Sequence, residues 1–225
     1  MALATNALTN VATMEAVLGL ASGSADARLQ RVINQASAIA EAFAGRVFYR
    51  NTAISEKHPG QNTPIIVLEQ PPINSITSVT YLTQSAEDSS SYEIHDANVG
   101  EVYRVSGTWG GVDVLFGDAS RTVYSGQGRM VWTFAYDGGW YTPKQDDDSG
   151  SVTRTLPYDI EQAVIAIAVA LYRAEGRDPT LTGERLMEAQ QTYATAMGSS
   201  GGSWLEANVP SAAMILRRYK RGLFG

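Results

Sequence analysis

Few side chains in this sequence are spaced in a way that could do chemistry. There is no cysteine, so structural disulfides, thiolate–zinc sites and cysteine nucleophiles are excluded. The two histidines, His58 and His95, lie in separate segments. Neither belongs to a spaced carboxylate cluster of the kind a zinc ion needs, and each reads as an ordinary strand or surface residue. Asp146-Asp147-Asp148 offers oxygen to a hard cation but lacks the alternating ligands and turn glycine of a calcium loop, so it reads as solvated acid. Gly126-Gln127-Gly128 precedes strand-like sequence with no helix opening after it, and so cannot cradle a phosphate as a dinucleotide fingerprint does. No phosphate-binding GxxxxGKS/T or zinc-binding HExxH is present, and the GxSxG spelled by Gly198-Ser199-Ser200-Gly201-Gly202 falls in a Gly/Ser stretch that reads as a flexible linker, not in the strand-to-helix turn a nucleophile elbow needs. Trp132, Phe134, Tyr136, Trp140 and Tyr141 form the densest aromatic stretch. It would serve either as a stacking platform for single strands or sugars, or as packing at a strand end; packing is the reading adopted. No residue set supports catalysis, and neither cofactor nor metal is expected.

The elements that would position these residues fall into a helical front, a strand-rich middle and a helical back. A short helix is expected over residues 13–18, ended by Gly19. Leu29, Val32, Ile33, Ala36, Ile39, Ala40 and Phe43 recur at three- and four-residue spacing and predict a long helix. Ser24 or Asp26 would cap it and Gly45 would stop it. Beyond it, β-branched and aromatic runs at 47–49, 65–68, 76–82, 102–105, 112–116 and 130–136 read as strands separated by Gly, Pro, Asn and Asp. Pro71-Pro72 forms an extended link, 84–91 a polar turn, and Gly110-Gly111 and Gly138-Gly139 tight bends. No helical crossovers lie between the strands, so they are compatible with antiparallel pairing.

Residues 143–155 read as an exposed loop. A second long helix follows over 157–174, with Pro157 at its first position and Asp159 and Glu161 complementing its dipole. Ile160, Val164, Ile167 and Leu171 mark one face, yet Ala163, Ala166, Ala168, Val169 and Ala170 leave almost no polar face. A helix apolar all round must be covered on several sides, by a central position or by another subunit. Residues 181–197 fit helix or strand about equally, 198–203 read as a flexible linker, and Pro210 opens a last helix through Tyr219. The fold class is α+β: a small bundle of two long helices plus a C-terminal arm helix, with an inserted antiparallel β-rich region. The expected division is 1–50, 51–142, 143–197 and 198–225.

With 225 residues, 44% hydrophobic and 18% charged, the chain is globular and long enough for a sizeable core. The longest apolar run, 163–171, is about half of what spans a bilayer, and no secretory signal is readable, so a soluble protein made in the cytoplasm is expected. The net charge of −6 is uneven. Arg217, Arg218, Lys220 and Arg221 lie in the last nine positions and no acid follows Glu206, so residues 1–216 carry 13 − 23 = −10 and the tail +4. Such an acidic body is a poor candidate for wrapping nucleic acid, while the basic end suits an acidic partner or is simply a solvated helix face.

Five segments in order resemble the head–tail connector (neck adaptor, or head-completion) proteins of long-tailed bacteriophages and phage-like particles. Gly45-Arg46-Val47-Phe48 is similar to the family's Gly-Arg-x-Phe ending of the first long helix. Pro72-Ile73-Asn74-Ser75-Ile76-Thr77-Ser78-Val79 resembles its "PVxSITSV" strand, with Ile73 for valine. Phe134-Ala135-Tyr136-Asp137-Gly138-Gly139-Trp140 looks like the "TYxxGY" strand end. Leu156-Pro157-Tyr158-Asp159-Ile160-Glu161-Gln162-Ala163 resembles the "LPxDLxxA" helix start, and Val209-Pro210 through Tyr219-Lys220-Arg221 the closing "P…IL…YRR" helix. The strand-rich middle is longer than in compact members, with extra hairpins at about 92–128.

The resemblance implies a structural virion protein with no catalytic activity. It would be one subunit of a homo-oligomeric adaptor ring of about a dozen copies at the virion neck. That ring would join the capsid portal to a tail-side stopper or tail terminator and let DNA pass without sequence-specific binding or any membrane. An acidic body suits a lumen that does not hold DNA. The implied portal-docking arm comprises Pro210, Met214, Ile215, Leu216, Arg217, Arg218, Tyr219, Lys220, Arg221, Leu223 and Phe224. Subunit-interface candidates are Ile160, Val164, Ile167, Leu171, Ile73, Ile76 and Val79. Alternatives are a tail-completion or baseplate component and, further off, a carbohydrate- or nucleic-acid-binding module using the 132–141 aromatics.

Overall fold

The computed structural model describes residues 2–23, 27–82, 84–110, 130–175, 183–186, 189–192 and 204–220. The expected strand at 112–116, Ser24, Asp26, Gly111, the 126–128 glycines, residues 193–203, Arg221, Leu223 and Phe224 lie outside these. Two compact units emerge, Met1–Tyr49 with Tyr141–Gly225, and Arg50–Trp140. The fold is α+β with antiparallel sheets throughout.

In the first unit, α1 (Val11–Leu18) opens on Asn10, whose side chain accepts the Thr13 N–H at 2.8 Å, and closes on Gly19 at φ 68°. This cap starts α1 two residues before the apolar pattern does. α2 (Ala27–Ala44) buries Leu29, Val32, Ile33, Ala36 and Ala40 along one stripe and ends at Gly45, φ 67°. The segment before α1 is tied across α2: the Ala4 N–H donates to Asn34 and the Leu8 N–H to Ser37 Oγ. Residues 47–48 form no strand, and only Tyr49 makes a bridge.

The acidic run expected in a loop is instead helical. α3 (Pro143–Ser149) is built by a capping box in which the Thr142 side chain takes the Gln145 N–H and Gln145 returns the bond, with Pro143 in the first turn. α4 (Tyr158–Ala174) follows, with Pro157 at its N-cap rather than inside the helix. A hairpin of β7 (Gly183–Leu186) and β8 (Ala189–Thr192) occupies part of the ambiguous segment, and its strand pairing is antiparallel. (The strand labels run in chain order; β1–β6 belong to the second unit.) α5 (Trp204–Asn208) and α6 (Pro210–Arg217) close the chain.

The second unit holds β1 (Asn51–Pro59), β2 (Ile65–Val67), β3 (Ile73–Tyr81), β4 (Tyr92–Asp96), β5 (Glu101–Arg104) and β6 (Met130–Gly138). They form two antiparallel sheets, ordered β1-β6-β3 and β2-β5-β4. Ile66, Leu68, Val79, Val102, Trp109, Phe134 and Tyr136 fill its core. Trp109 lies edge-on to Trp132 and Phe134 with ring centroids 5.0 and 5.2 Å away. Both indole N–H groups are satisfied, Trp109 by the Pro64 carbonyl and Trp132 by the Gly110 carbonyl. Gly138 is required where it stands, because a Cβ there would lie 2.3 Å from the Gln70 carbonyl oxygen.

Candidate subunit interface

The apolar-all-round helix resolves into two faces with different fates. Ile160, Val164 and Ile167 are fully buried within their own unit, where α4 packs against α2 and α6. These expected interface residues are therefore consumed by the chain's own core, and only Leu171, half-buried near the helix end, remains partly accessible. A carboxylate on the buried side is neutralised locally: Glu161 accepts the Thr9 hydroxyl at 3.1 Å and lies 2.5 Å from Arg154 Nη1.

The other face is only partly covered: Ile165 is buried, Ala166, Val169 and Ala170 are half-buried, and Gln162 and Arg173 are exposed. Gln162, Ile165, Ala166, Val169, Ala170 and Arg173 of α4, with Val17 of α1 and Asn208 and Val209 at the α5–α6 junction, line a shallow open groove of about 360 Å³. Val17 is 51% exposed at its edge. Positions 162, 165, 166, 169, 170 and 173 recur at helical spacing, so this is a second stripe interleaved with the first. Its polar markers, Gln162 and Arg173, were the available sequence signal. Along α4 the two stripes run for about 25 Å.

The candidates in the second unit are likewise internal. Ile73 and Val79 are buried and Ile76 packs against the core, in a β3 paired with β6. The aromatics Trp132, Phe134 and Tyr136 are core residues, so they offer no stacking platform; Trp140 and Tyr141 are half-buried. Tyr136 donates to Glu56 Oε2 at 2.6 Å and accepts the Gln70 N–H. Glu56 also accepts the Glu69 N–H and lies 2.5 Å from His58 Nε2. Burial works against the Glu56 charge, but the bonds from His58, Tyr136 and Glu69 outweigh it and hold the carboxyl below its ordinary pKa. The same arrangement, with desolvation as the largest cause, pushes the Tyr136 phenol far up. His95 stands apart, beside Tyr103. Among the described residues no group of three or more His, Asp or Glu is placed to hold a metal, and no helix is long and apolar enough to cross a membrane.

The C-terminal helix is not detached. α6 packs on α4 and α2, burying Ala212, Ala213 and Leu216, while Met214 is 62% exposed and Pro210, Arg217, Arg218 and Lys220 face outward. Ile215 is half-buried. Tyr219 donates to both oxygens of Asp159, at 2.9 and 2.8 Å, and its ring meets Phe48 edge-on. Burial and this carboxylate push the Tyr219 phenol up to about 12. Leu216 and Tyr219, expected as anchors for a partner, thus anchor α6 to its own unit, because the helix has an apolar face that the bundle covers.

No family model matches the sequence, and no curated protein matches it. Solved structures do. The chain is similar over 100% of its length to a protein in the neck of an empty gene transfer agent (GTA) particle, determined with C6 symmetry, at 15% identity and a TM-score of 0.53, covering 96% of that protein. A protein in the virion of a native gene transfer agent particle matches with the same identity and coverage and a TM-score of 0.55. At this identity the likeness establishes a shared fold, that of proteins built into a phage-like particle.

Proposed function

We propose that this chain is a structural subunit of the neck of a phage-like particle, acting by assembly and catalysing nothing. The observation that carries the reading is the partly covered apolar groove along α4, in a chain whose fold is shared with a protein of a gene-transfer-agent neck and one of a gene-transfer-agent virion. Copies pack side by side through that stripe into a ring. Such a heterologous contact closes when its rotation divides the circle. The outward side of α6, with Pro210, Met214, Arg217, Arg218 and Lys220, faces the capsid portal, and a stopper or tail terminator sits on the tail side. The acidic body lines or flanks a channel through which DNA moves without being held.

Light scattering and negative-stain imaging of the purified chain at high concentration test this. Rings are the expected species, and Val169→Glu, placing a charge on the stripe, abolishes them while leaving the monomer folded. Rings unaffected by Val169→Glu would remove the stripe from the interface. A label found at the tail tip of whole particles would replace the neck reading with a baseplate one.

A further inference from the structure

Tyr158 opens α4 and is 71% exposed, more than any other large apolar side chain among the described residues. Its phenol is nevertheless held in place. The Arg154 guanidinium lies over it, 4.1 Å from the ring centre. That guanidinium is fixed in turn: Nη1 is 2.5 Å from the Glu161 carboxylate, and Nη2 donates to the Leu156 carbonyl at 3.1 Å. Glu161 is buried and also holds the Thr9 hydroxyl. One face of the phenol thus rests on a built platform, while the rest of it stands in water and its hydroxyl bonds no described residue.

Neutralising Glu161 accounts for Arg154, and Arg154 shields one face of the phenol. Neither accounts for an aromatic residue at so open a position. A tyrosine already ordered by an arginine has the composition of an interface anchor, and little entropy is lost when a partner encloses it.

Its place on α4 says what would enclose it. Positions 158, 162, 165, 166, 169 and 173 fall on one stripe, so Tyr158 stands at the N-terminal end of the face that lines the groove. Val169 is eleven residues further on, about 16 Å along the helix. No side chain folds back that far on its own helix. Knob and recess therefore occupy different places on one face, and a copy that fills its neighbour's recess leaves its own open for a third. The recess also fits a phenol. Val17, Ile165, Val169 and Val209 give it apolar walls, and the Gln162 and Asn208 amides are there to meet a hydroxyl.

We infer that Tyr158, braced by Arg154, is the anchor of the contact between copies and seats in the α4 groove of the next one. This contact rests on the ring of the neck reading and adds which side chain of one copy fills the groove of another.

Substituting p-benzoylphenylalanine for Tyr158 in the full-length protein, and illuminating it at the concentration where rings form, tests this. A covalent ladder extending beyond the dimer is expected on a denaturing gel. Fragmentation mass spectrometry then places the new bond between position 158 of one copy and residues 165–169 of another. Tyr158→Ala raises the concentration for half-assembly at least tenfold and Tyr158→Phe about threefold. Met214→Ala, at a side chain 62% exposed on α6, changes nothing. Circular dichroism melts confirm that each variant is folded. Covalent products that stop at the dimer, bonds made only outside the groove, or unchanged assembly of Tyr158→Ala each overturn the inference while the rings stand. Absence of rings in the wild-type protein defeats the ring reading itself, and is seen before any variant is made.

Discussion

Two apolar surfaces end differently in this protein. In the second unit the aromatics of β6 are enclosed: Trp132, Phe134 and Tyr136 are buried, and the indole and phenol donors each find an acceptor. In the first unit one stripe of α4 is fully enclosed, while the other lines an open groove in which Ile165 is buried and Ala166 and Val169 are half-buried. Hydrophobicity alone is therefore no guide to whether an apolar position is enclosed. What separates them is whether the chain itself supplies the other side. Polar tips on the enclosed set have intramolecular partners, which is what permits complete burial, whereas the open set is aliphatic and makes no such demand.

The largest expected effect tests that contrast directly. Phe134→Ala removes a fully buried ring between Trp109 and His58 and should cost about 3–5 kcal/mol in chemical denaturation. Val169→Ala, on the open stripe, should cost about 0.5 kcal/mol or less in the isolated chain. Comparable losses would mean that the groove is filled in solution and the distinction fails. Next in size is Gly138→Ala, which forces a methyl group toward the Gln70 carbonyl and should cost about 1–3 kcal/mol through backbone displacement.

Acidification should separate the two units. Glu56 is held below its ordinary pKa in the folded state, so its contribution is complete above the unfolded carboxylate range and is lost as pH falls through the folded value. Glu41, in the first unit, runs the other way. Its burial, opposed by the Phe48 and Tyr49 N–H groups, raises its pKa, so its contribution is complete below the unfolded value and is lost as pH rises through the folded one. Denaturation followed from pH 7 to 3 should show a steep loss that Glu56→Gln flattens, while Glu41→Gln gains relative stability at neutral pH. Parallel curves for wild type and Glu56→Gln would show that the carboxylate is not what ties β1 to the Glu69 backbone.

Much of this fold is written in local pattern, and the gaps have identifiable causes. α2 was legible because seven apolar residues keep helical spacing and a glycine stops it. β1 was not, since Asn51–Pro59 reads as polar: it borders its sheet, Ile54, Glu56 and His58 are the side chains turned inward, and one of these is a carboxylate made tolerable only by partners from β6 and the β2–β3 link. α3 carried a readable signal, Thr142-Pro143 with Gln145, that the aspartate run obscured. For α4 the periodicity of Ile160, Val164 and Ile167 located a face, but nothing local could tell that this was the inner one. That decision belongs to α2 and α6, which are distant in sequence.

The last predicted effect turns on a device both units use, a tyrosine hydroxyl bonded to a carboxylate. Tyr136 sits almost wholly buried between Glu56 and the Gln70 N–H, whereas Tyr219 reaches Asp159 from a half-exposed position. Removing the hydroxyl from the first takes one acceptor from the Gln70 N–H and one donor from Glu56 Oε2, which keeps the Glu69 N–H, at a partly buried position, so Tyr136→Phe should cost about 1–3 kcal/mol. Water can replace the second, so Tyr219→Phe should cost only about 0.5–1 kcal/mol. The phenol of Tyr219, pushed up to about 12, stays protonated through the neutral range, so it remains a donor to Asp159 there. Ultraviolet difference titration of the two variants assigns the phenols, and thermal melts rank their costs. If Tyr219→Phe proved the costlier, α6 would depend on its tyrosine more than on Ala212, Ala213 and Leu216, and its docking on the bundle would be a polar latch rather than apolar packing.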